Sequence, residues 1–235
     1  MKIREATIEM AISLERNHME DGVSFFESFR CENKELKAVV EKSLDFIANE
    51  LLKDFNPKEK LDENDKEKVI NYSKLETEEE KLMLLFNAAT EGCAIAQHEI
   101  AEIYYDGKKF NTSTGIVSFA QNRPLSGMWE FLAAMNGHSY AQYNFAYCAA
   151  FSHGKYDFLG MSMGDGLKIM ELAANQGNTN ALYIVVDMFL NVKNYDFWEE
   201  FKNVEKGIKY AIRLREKGMH DYDDYIEKYR ETGTI

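Results

Sequence analysis

The stretch Ala88-Ala89-Thr90-Glu91-Gly92 recurs as Ala133-Ala134-Met135-Asn136-Gly137 and as Ala173-Ala174-Asn175-Gln176-Gly177. In each copy a further alanine follows the glycine by four residues, and a large apolar residue follows that alanine by four more. A weaker fourth copy centres on Gly218, so the glycines recur every 40 to 45 residues. A period of this length is typical of helical repeat proteins, which usually present an extended surface to another macromolecule.

The spacing inside each copy predicts two helices joined by a glycine turn. In the first copy, Ala96, Ile100 and Tyr104 are four residues apart and therefore share one helix face. Upstream of the glycine, Leu84 precedes Ala88 by four residues, which indicates a helix there too. The glycine suits a helix C-terminus, where the backbone turns left-handed. The small alanines allow the two helix axes to approach closely.

Three sequence signals mark helix starts. Thr77 and Glu80 have the spacing of a capping box and precede the first helix of the first copy. Ser139 and Gln142 have the same spacing and predict a cap for the second helix of the second copy. Pro124 fits the first turn of the first helix of the second copy, where a missing N–H costs nothing.

The first copy resembles the Sel1-like repeat family, which is related to tetratricopeptide repeats. The matching residues are Ala88, Ala89, Gly92, Ala96, Ile100, Ala101, Tyr104 and Gly107. The second and third copies keep the apolar pair but lack the terminal Tyr-x-x-Gly, and the fourth replaces the paired alanines with Leu214 and Arg215. Such degeneration is expected of a terminal capping repeat. The resemblance covers roughly residues 77–231.

The resemblance implies an all-α fold. We predict a right-handed α-solenoid of antiparallel helix pairs, with three to four repeats over residues 77–235 and extra helices before them. Few segments alternate with period two, so strands are not expected. Residues 1–76 are predicted to be a helical region that caps the solenoid, although a separate small helical domain is the alternative.

Several segments outside the repeats have patterns of their own. Apolar periodicity predicts a helix over residues 33–55, which Pro57 ends, and shorter helices around Ile8 and Phe25. Residues 58–68 are mostly charged and are predicted to be solvated. Two irregular segments, 107–123 and 152–165, are predicted to be loops, and the glycine-rich part of the second gives no nucleotide-binding motif.

Composition limits the classes of function. The net charge of −12 argues against nucleic-acid binding and favours a basic protein partner, although simple solubility also explains it. The three cysteines are far apart in sequence, which suits a reducing compartment. The first residues include charges where a signal peptide is apolar, and no apolar run is long enough to cross a membrane. We therefore predict a cytoplasmic protein that has no membrane partner.

No chemistry-bearing motif stands out. The five histidines form no metal-ligand pair, and no nucleophile or cofactor motif is present, so we predict no catalytic, cofactor or metal site. Some cysteine-rich Sel1-like proteins are linked to β-lactam binding, but each of their repeats is cross-linked by a pair of cysteines. Cys93 and Cys148 are not paired within their repeats, so that activity does not transfer directly.

One stripe of residues is predicted to bind a partner. The alanine four residues after each turn glycine is here called the inner alanine. In the second helix of each copy, the residues two and six positions after the inner alanine are polar or aromatic and lie away from the buried face. The stripe comprises His98, Glu102, Tyr143, Tyr147, Tyr183 and Asp187, with Asp224 and Lys228 in the weak copy. Tyrosine is favoured at protein interfaces. The alternative is that these tyrosines pack against the neighbouring repeat.

The sequence therefore favours a non-enzymatic protein–protein interaction module. The resemblance implies an adaptor or regulator, and the small acidic chain suggests an immunity-type inhibitor that neutralises a basic toxin or effector. The alternatives are a hydrolase, since β-lactamase-like activity occurs in some family relatives, and a scaffold that recognises peptides in signalling. The oligomeric state is left open.

Overall fold

The computed structural model describes residues 9, 12, 33–51, 56–148, 162–193 and 195–234. These residues are mostly helical and include ten α-helices, two short 3₁₀ helices and one β-hairpin. The α-helices are α1 (Lys34–Glu50), α2 (Glu63–Val69), α3 (Glu78–Thr90), α4 (Ala94–Asp106), α5 (Arg123–Met135), α6 (Ser139–Ala146), α7 (Met163–Asn175), α8 (Thr179–Leu190), α9 (Val204–Glu216) and α10 (Asp223–Thr232). The 3₁₀ helices are Tyr72–Lys74 and Asp196–Phe201, and the strands are β1 (Lys109–Thr112) and β2 (Gly115–Ser118).

Each of the four sequence copies forms two helices joined by a glycine turn, as predicted. The units are α3–α4, α5–α6, α7–α8 and α9–α10, and their turn glycines have φ between 83° and 93°. In the first unit, the Gly92 N–H donates to the Ala89 carbonyl and the Cys93 N–H donates to the Ala88 carbonyl, both at 3.0 Å. The same pair of bonds occurs at the other three turns. This is a Schellman motif, and it survives in the fourth unit without the paired alanines.

The repeated small and large residues form the core. The inner alanines Ala96, Ala141 and Ala181 are fully buried, and the apolar residues four positions later are almost fully buried. From α3 to α10, consecutive helices of each unit pack together, and α4–α5, α6–α7 and α8–α9 pack between units. Alanine at a crossing permits this close approach. The right-handed superhelical path stays a prediction.

Two of the three predicted helix starts are confirmed and one is wrong. Thr77 forms a reciprocal capping box with Glu80, and Pro124 lies in the first turn of α5. The predicted cap at Ser139 is displaced by one residue. The N-cap of α6 is His138, whose Nδ1 accepts a hydrogen bond from the Ala141 N–H at 3.2 Å.

The N-terminal helix α1 shares the core of the repeats. Leu36, Val40, Leu44 and Ile47 are fully buried, and α1 packs against α3. The predicted helix over residues 33–55 is observed from Lys34 to Glu50, and residues 52–55 lie outside the described part. The helices predicted around Ile8 and Phe25 also fall outside it, apart from isolated positions.

Residues 56–69, here called the strap, cross the glycine-turn side of the first two units. The prediction that residues 58–68 are solvated is confirmed for most of them, whose side chains are exposed, but not for Asp65, which lies in α2 and is 2% exposed. The Asp65 carboxylate accepts a hydrogen bond from the Ala94 N–H at 2.9 Å. The N-cap residue of α4, Cys93, makes no side-chain cap. The strap therefore supplies a cap for α4, whose own N-cap residue provides none.

The strap continues over the second turn. The Lys58 N–H donates to the Met135 carbonyl at 2.9 Å, and the Lys60 backbone lies directly against Gly137. A Cβ built on Gly137 would be 2.2 Å from the Lys60 carbonyl oxygen. Gly137 therefore provides both a left-handed conformation and room for the strap.

Buried side-chain amides link consecutive units on the same side. Gln97 and Gln142, at equivalent positions, each donate to a carbonyl of the paired alanines in their own unit. Asn136 donates to the Gln97 side chain at 3.0 Å, and Gln176 donates to the Gln142 side chain at 2.9 Å. Each acceptor belongs to one unit and each donor to the next, so these bonds fix the register between units.

The segment 107–123 is not simply a loop, since β1 and β2 form an antiparallel hairpin within it. The buried carboxylate of Glu79 binds the hairpin tip. It accepts hydrogen bonds from the Ser113 N–H at 3.0 Å, the Ser113 hydroxyl at 2.7 Å and the Thr114 hydroxyl at 2.8 Å. The hydroxyls of Ser113 and Thr114 lower the pKa of Glu79 to about 2, against an opposing effect of burial. An acidic residue of α3 therefore holds the hairpin in place.

The second predicted loop, 152–165, lies only partly within the described residues. Residues 152–161 fall outside, but α7 begins at Met163 after the N-cap Ser162. The glycine-rich end of this segment therefore includes helix, and Gly164 and Gly166 lie in the first turn of α7. The Ser162 hydroxyl accepts from the Asp165 N–H at 3.1 Å, which explains why the helix starts there.

Candidate functional site

A groove opens between the first two units, where α4, α5 and α6 meet. Its volume is about 290 Å³, and its lining is Glu102, Tyr105, Ser126, Gly127, Glu130, Tyr140, Asn144, Phe145 and Cys148. The small residues Ser126 and Gly127 of α5 leave the depression, and the buried ring of Phe145 contributes an apolar wall. The groove therefore combines carboxylates, aromatic rings and an amide.

Glu130 is held rigidly at the groove. Its Oε2 lies 2.7 Å from His98 Nδ1, and its Oε1 accepts a hydrogen bond from the Asn144 side chain at 3.2 Å. Burial opposes protonation of His98, but the hydrogen bond and charge of Glu130, with smaller contributions from Glu102 and Glu99, raise the pKa of His98. The carboxylate is thereby oriented before any ligand arrives.

The second carboxylate, Glu102, has no hydrogen bond to another described side chain. Burial raises the pKa of Glu102, His98 opposes this rise, and Glu130 adds to it. A raised carboxyl pKa means that the charged form is under-stabilised in its surroundings. A cation at this position would relieve that cost.

Two imidazoles are stacked behind the groove. The ring centroids of His98 and His138 are 4.6 Å apart, and Tyr140 makes an edge contact with His98. Burial and the neighbouring His98 lower the pKa of His138 to about 4. His138 therefore stays neutral near pH 7, and its Nδ1 is free of a proton to accept the Ala141 N–H.

Exposed tyrosines form the rim. Tyr105 and Tyr140 are 37% and 47% exposed, and both line the groove. The guanidinium of Arg123 lies 5.6 Å from the Tyr105 ring centroid, so one face of this ring already contacts a cation. Tyr143 stands 6.2 Å from Tyr140 and 6.0 Å from Tyr147, ring centre to ring centre.

The structure divides the predicted binding stripe into two parts. Glu102 lines the groove, His98 holds Glu130 there, and Tyr143 and Tyr147 continue the row of rings beside it. The third-unit members lie elsewhere and bind the fourth unit.

In the third unit, the stripe residues make contacts between units. The Tyr183 hydroxyl donates to Asp221 at 2.7 Å, and the Tyr222 hydroxyl donates to Asp187 at 2.5 Å. Asp187 also lies 3.3 Å from Lys193. The alternative, that the tyrosines of the stripe pack against the neighbouring repeat, therefore describes Tyr183, and Asp187 also contacts the fourth unit. Asp224 and Lys228 of the weak copy are exposed on α10.

The stripe pattern did not include several groove residues. Glu130 lies on the first helix of its unit, and Tyr140 and Asn144, which are four residues apart on α6, are both offset from the stripe spacing by one residue. A signal for Glu130 was present, since it is a charged residue in a helix whose other late positions are all apolar. Such an interruption indicates a polar partner inside the fold.

Two polar groups at the groove are already engaged within the fold. The Ser126 hydroxyl donates to the Ala101 carbonyl at 2.8 Å, and the Nδ1 of His98 is engaged by Glu130. Within the described residues, no three His, Cys, Asp or Glu side chains converge as a metal site. Over the same ranges, every helix is too short or too polar to cross a bilayer.

In comparisons with known proteins, the sequence matches no family model and no curated protein, and the fold matches no solved structure. The resemblance to Sel1-like repeats therefore rests on the motif residues and on the helix–glycine turn–helix units.

Proposed function

We propose that this chain is a non-catalytic protein-binding module of the Sel1-like solenoid type, and that it acts as an adaptor or inhibitor of a basic protein. The observation that carries the proposal is the open groove with Glu102 and Glu130 on a chain of net charge −12. A basic surface would meet complementary potential there, which speeds encounter and favours the correct orientation.

The surroundings of the groove support a macromolecular partner. Tyr105, Tyr140 and Tyr147 are exposed by 37% to 47% on one surface. Tyrosine offers a large contact area at a low cost in side-chain entropy. Since the groove alone is small, the rings around it would supply most of the contact area, and the groove would supply orientation.

The test is affinity capture from lysate of the native host at low and high ionic strength. We expect a stoichiometric basic protein that salt releases, because screening weakens attraction between exposed charges. Glu102→Lys should lose this protein, whereas Glu99→Lys, an equal charge reversal at an exposed site on the same helix, should retain it. Recovery of no protein partner at either ionic strength would contradict the proposal.

A further inference from the structure

We infer that the groove between α4, α5 and α6 anchors a single lysine or arginine side chain of the partner, with the cation at Glu102 and Glu130 and the aliphatic stem between Tyr105 and Tyr140. This inference rests on the proposed function and names the ligand chemistry of the same site.

Size is the first argument. The groove volume of about 290 Å³ lies at the lower end of the range for sites that enclose small molecules. One long side chain fits such a depression, whereas a cofactor or drug-sized substrate does not. The opening over Ser126 and Gly127 is lined on one side by Phe145, and an aliphatic stem would pack there.

Charge is the second argument. Of the described residues that line the groove, none is basic, and two are carboxylates. Glu130 is already oriented by His98 and Asn144, and Glu102 is left without a hydrogen-bond donor among the described residues. An arginine fork or an ammonium group would supply that donor, and the negative charge of Glu130 would add to the attraction.

The aromatic rim is the third argument. A cation favours the face of a tyrosine ring, and Arg123 already occupies such a position at Tyr105. Tyr140 is a second exposed ring in the groove lining. A partner side chain that enters between these rings would therefore meet apolar surface along its stem and negative charge at its end.

The experiment uses three small probes on the full chain: Nα-acetyl-lysine amide, Nα-acetyl-arginine amide and Nα-acetyl-norleucine amide. Norleucine has the stem of lysine without the charge. Binding is followed by NMR through the Asn144 side-chain amide and the aromatic signals. We expect saturable shifts with lysine or arginine at roughly millimolar dissociation constants, and none with norleucine.

Matched variants locate the cation. Glu102→Gln should weaken binding of the cationic probe about tenfold, because a charge-assisted hydrogen bond is lost. Glu99→Gln removes the same charge from the same helix outside the groove and should change the dissociation constant less than about twofold. Equal shifts with norleucine, or equal loss in both variants, would overturn the inference.

The two proposals fail separately. If a basic partner is captured and Glu102→Lys binds it as well as the unaltered chain does, the anchor is wrong and the binding function stands. If the probes bind as expected but the host yields no partner, the site is a cation site and the proposed function is wrong.

Discussion

The strap forms hydrogen bonds with the chain at the first two glycine turns, at Gly92 and Gly137. Within the described part of the chain, it forms none with the turns at Gly177 and Gly218. All four turns share the same hydrogen bonds and nearly the same φ. Local sequence therefore produces the same turn four times, and the strap then gives otherwise equivalent positions different roles. Gly92 is required by its backbone conformation alone, but Gly137 is also required by the chain that lies on it.

The largest effect should separate these two glycines. Gly137→Ala should reduce the free energy of unfolding by about 3 kcal/mol or more, because the new Cβ meets the Lys60 backbone in addition to the left-handed strain. Gly92→Ala adds a Cβ with no atom within 4 Å and should cost only about 1 kcal/mol. Urea denaturation measures both. Equal losses would show that the strap does not constrain the second turn.

The next effect concerns how the second helix of a unit is capped. Asp65→Ala should cost about 2 kcal/mol, because it leaves a buried N–H at Ala94 without its acceptor. Asn178 caps α8 from within its own unit, so Asn178→Ala provides the comparison and should cost about 1 kcal/mol.

A second substitution tests the interpretation of the Asp65 variant. Cys93 has the extended backbone of an N-cap residue, so Cys93→Ser should offset part of the loss in the Asp65→Ala background by capping the second or third N–H of α4. The Ala94 N–H stays without its acceptor in this double variant, so complete recovery would show that the Asp65–Ala94 hydrogen bond contributes little to stability.

Caps in the second and third units should differ in their response to acid. The pKa of His138 is lowered to about 4 in the folded chain, so the unfolded chain binds the proton first as pH falls below about 6.5. The contribution of His138 to stability should therefore fall between about pH 6.5 and pH 4, by about 1.5 kcal/mol after allowance for solvent screening, whereas the raised pKa of His98 acts in the opposite direction.

His138→Asn installs the cap residue that the third unit uses and should flatten this part of the stability profile. Denaturation at a series of pH values gives the comparison, with Asn178→Ala as a variant that shifts stability without a change in slope. An unchanged slope for His138→Asn would assign the acid sensitivity to another group.

The smallest effect belongs to the exposed edge of the strap. Lys68, which is half-buried, donates to the Glu91 carbonyl at 3.1 Å through a solvent-exposed hydrogen bond, so Lys68→Ala should cost about 0.5 kcal/mol or less. Lys217, whose side chain lies near Gly177 at an uncovered turn, provides a matched alanine variant. Thermal denaturation should give nearly equal melting temperatures for the Lys68→Ala and Lys217→Ala variants. A large loss for Lys68→Ala alone would show that the whole strap detaches with it.

The helix pairs were predictable because their signals are local. Glycine at a C-terminus, alanine at a crossing and a capping box act within a few residues, and each is confirmed in the structure. The roles of Asp65 and Glu79 depend on partners about 30 residues away, and nothing near either residue identifies those partners. The sequence did not predict the hairpin, because its four-residue strands are too short to show a clear alternation of polar and apolar residues. Its turn is also held by Glu79, a partner that is distant in sequence.

The candidate groove was predictable only in part. The stripe spacing identified Glu102 and His98, because both lie on one face of α4. It did not identify Glu130, since that residue reaches the groove from a different helix and only the packing of α5 on α4 brings the two carboxylates together. A spacing rule within one helix cannot report a site that three helices share.

The position of the strap also has a consequence for the order of events during synthesis. A ribosome releases residues 56–69 before either of the first two glycine turns. Asp65 must therefore remain solvated until α4 emerges. The contact between the Lys60 backbone and Gly137 can form only later, after the second unit has emerged. Each later unit docks on chain that is already complete, so assembly during translation can proceed from the N-terminal end without rearrangement.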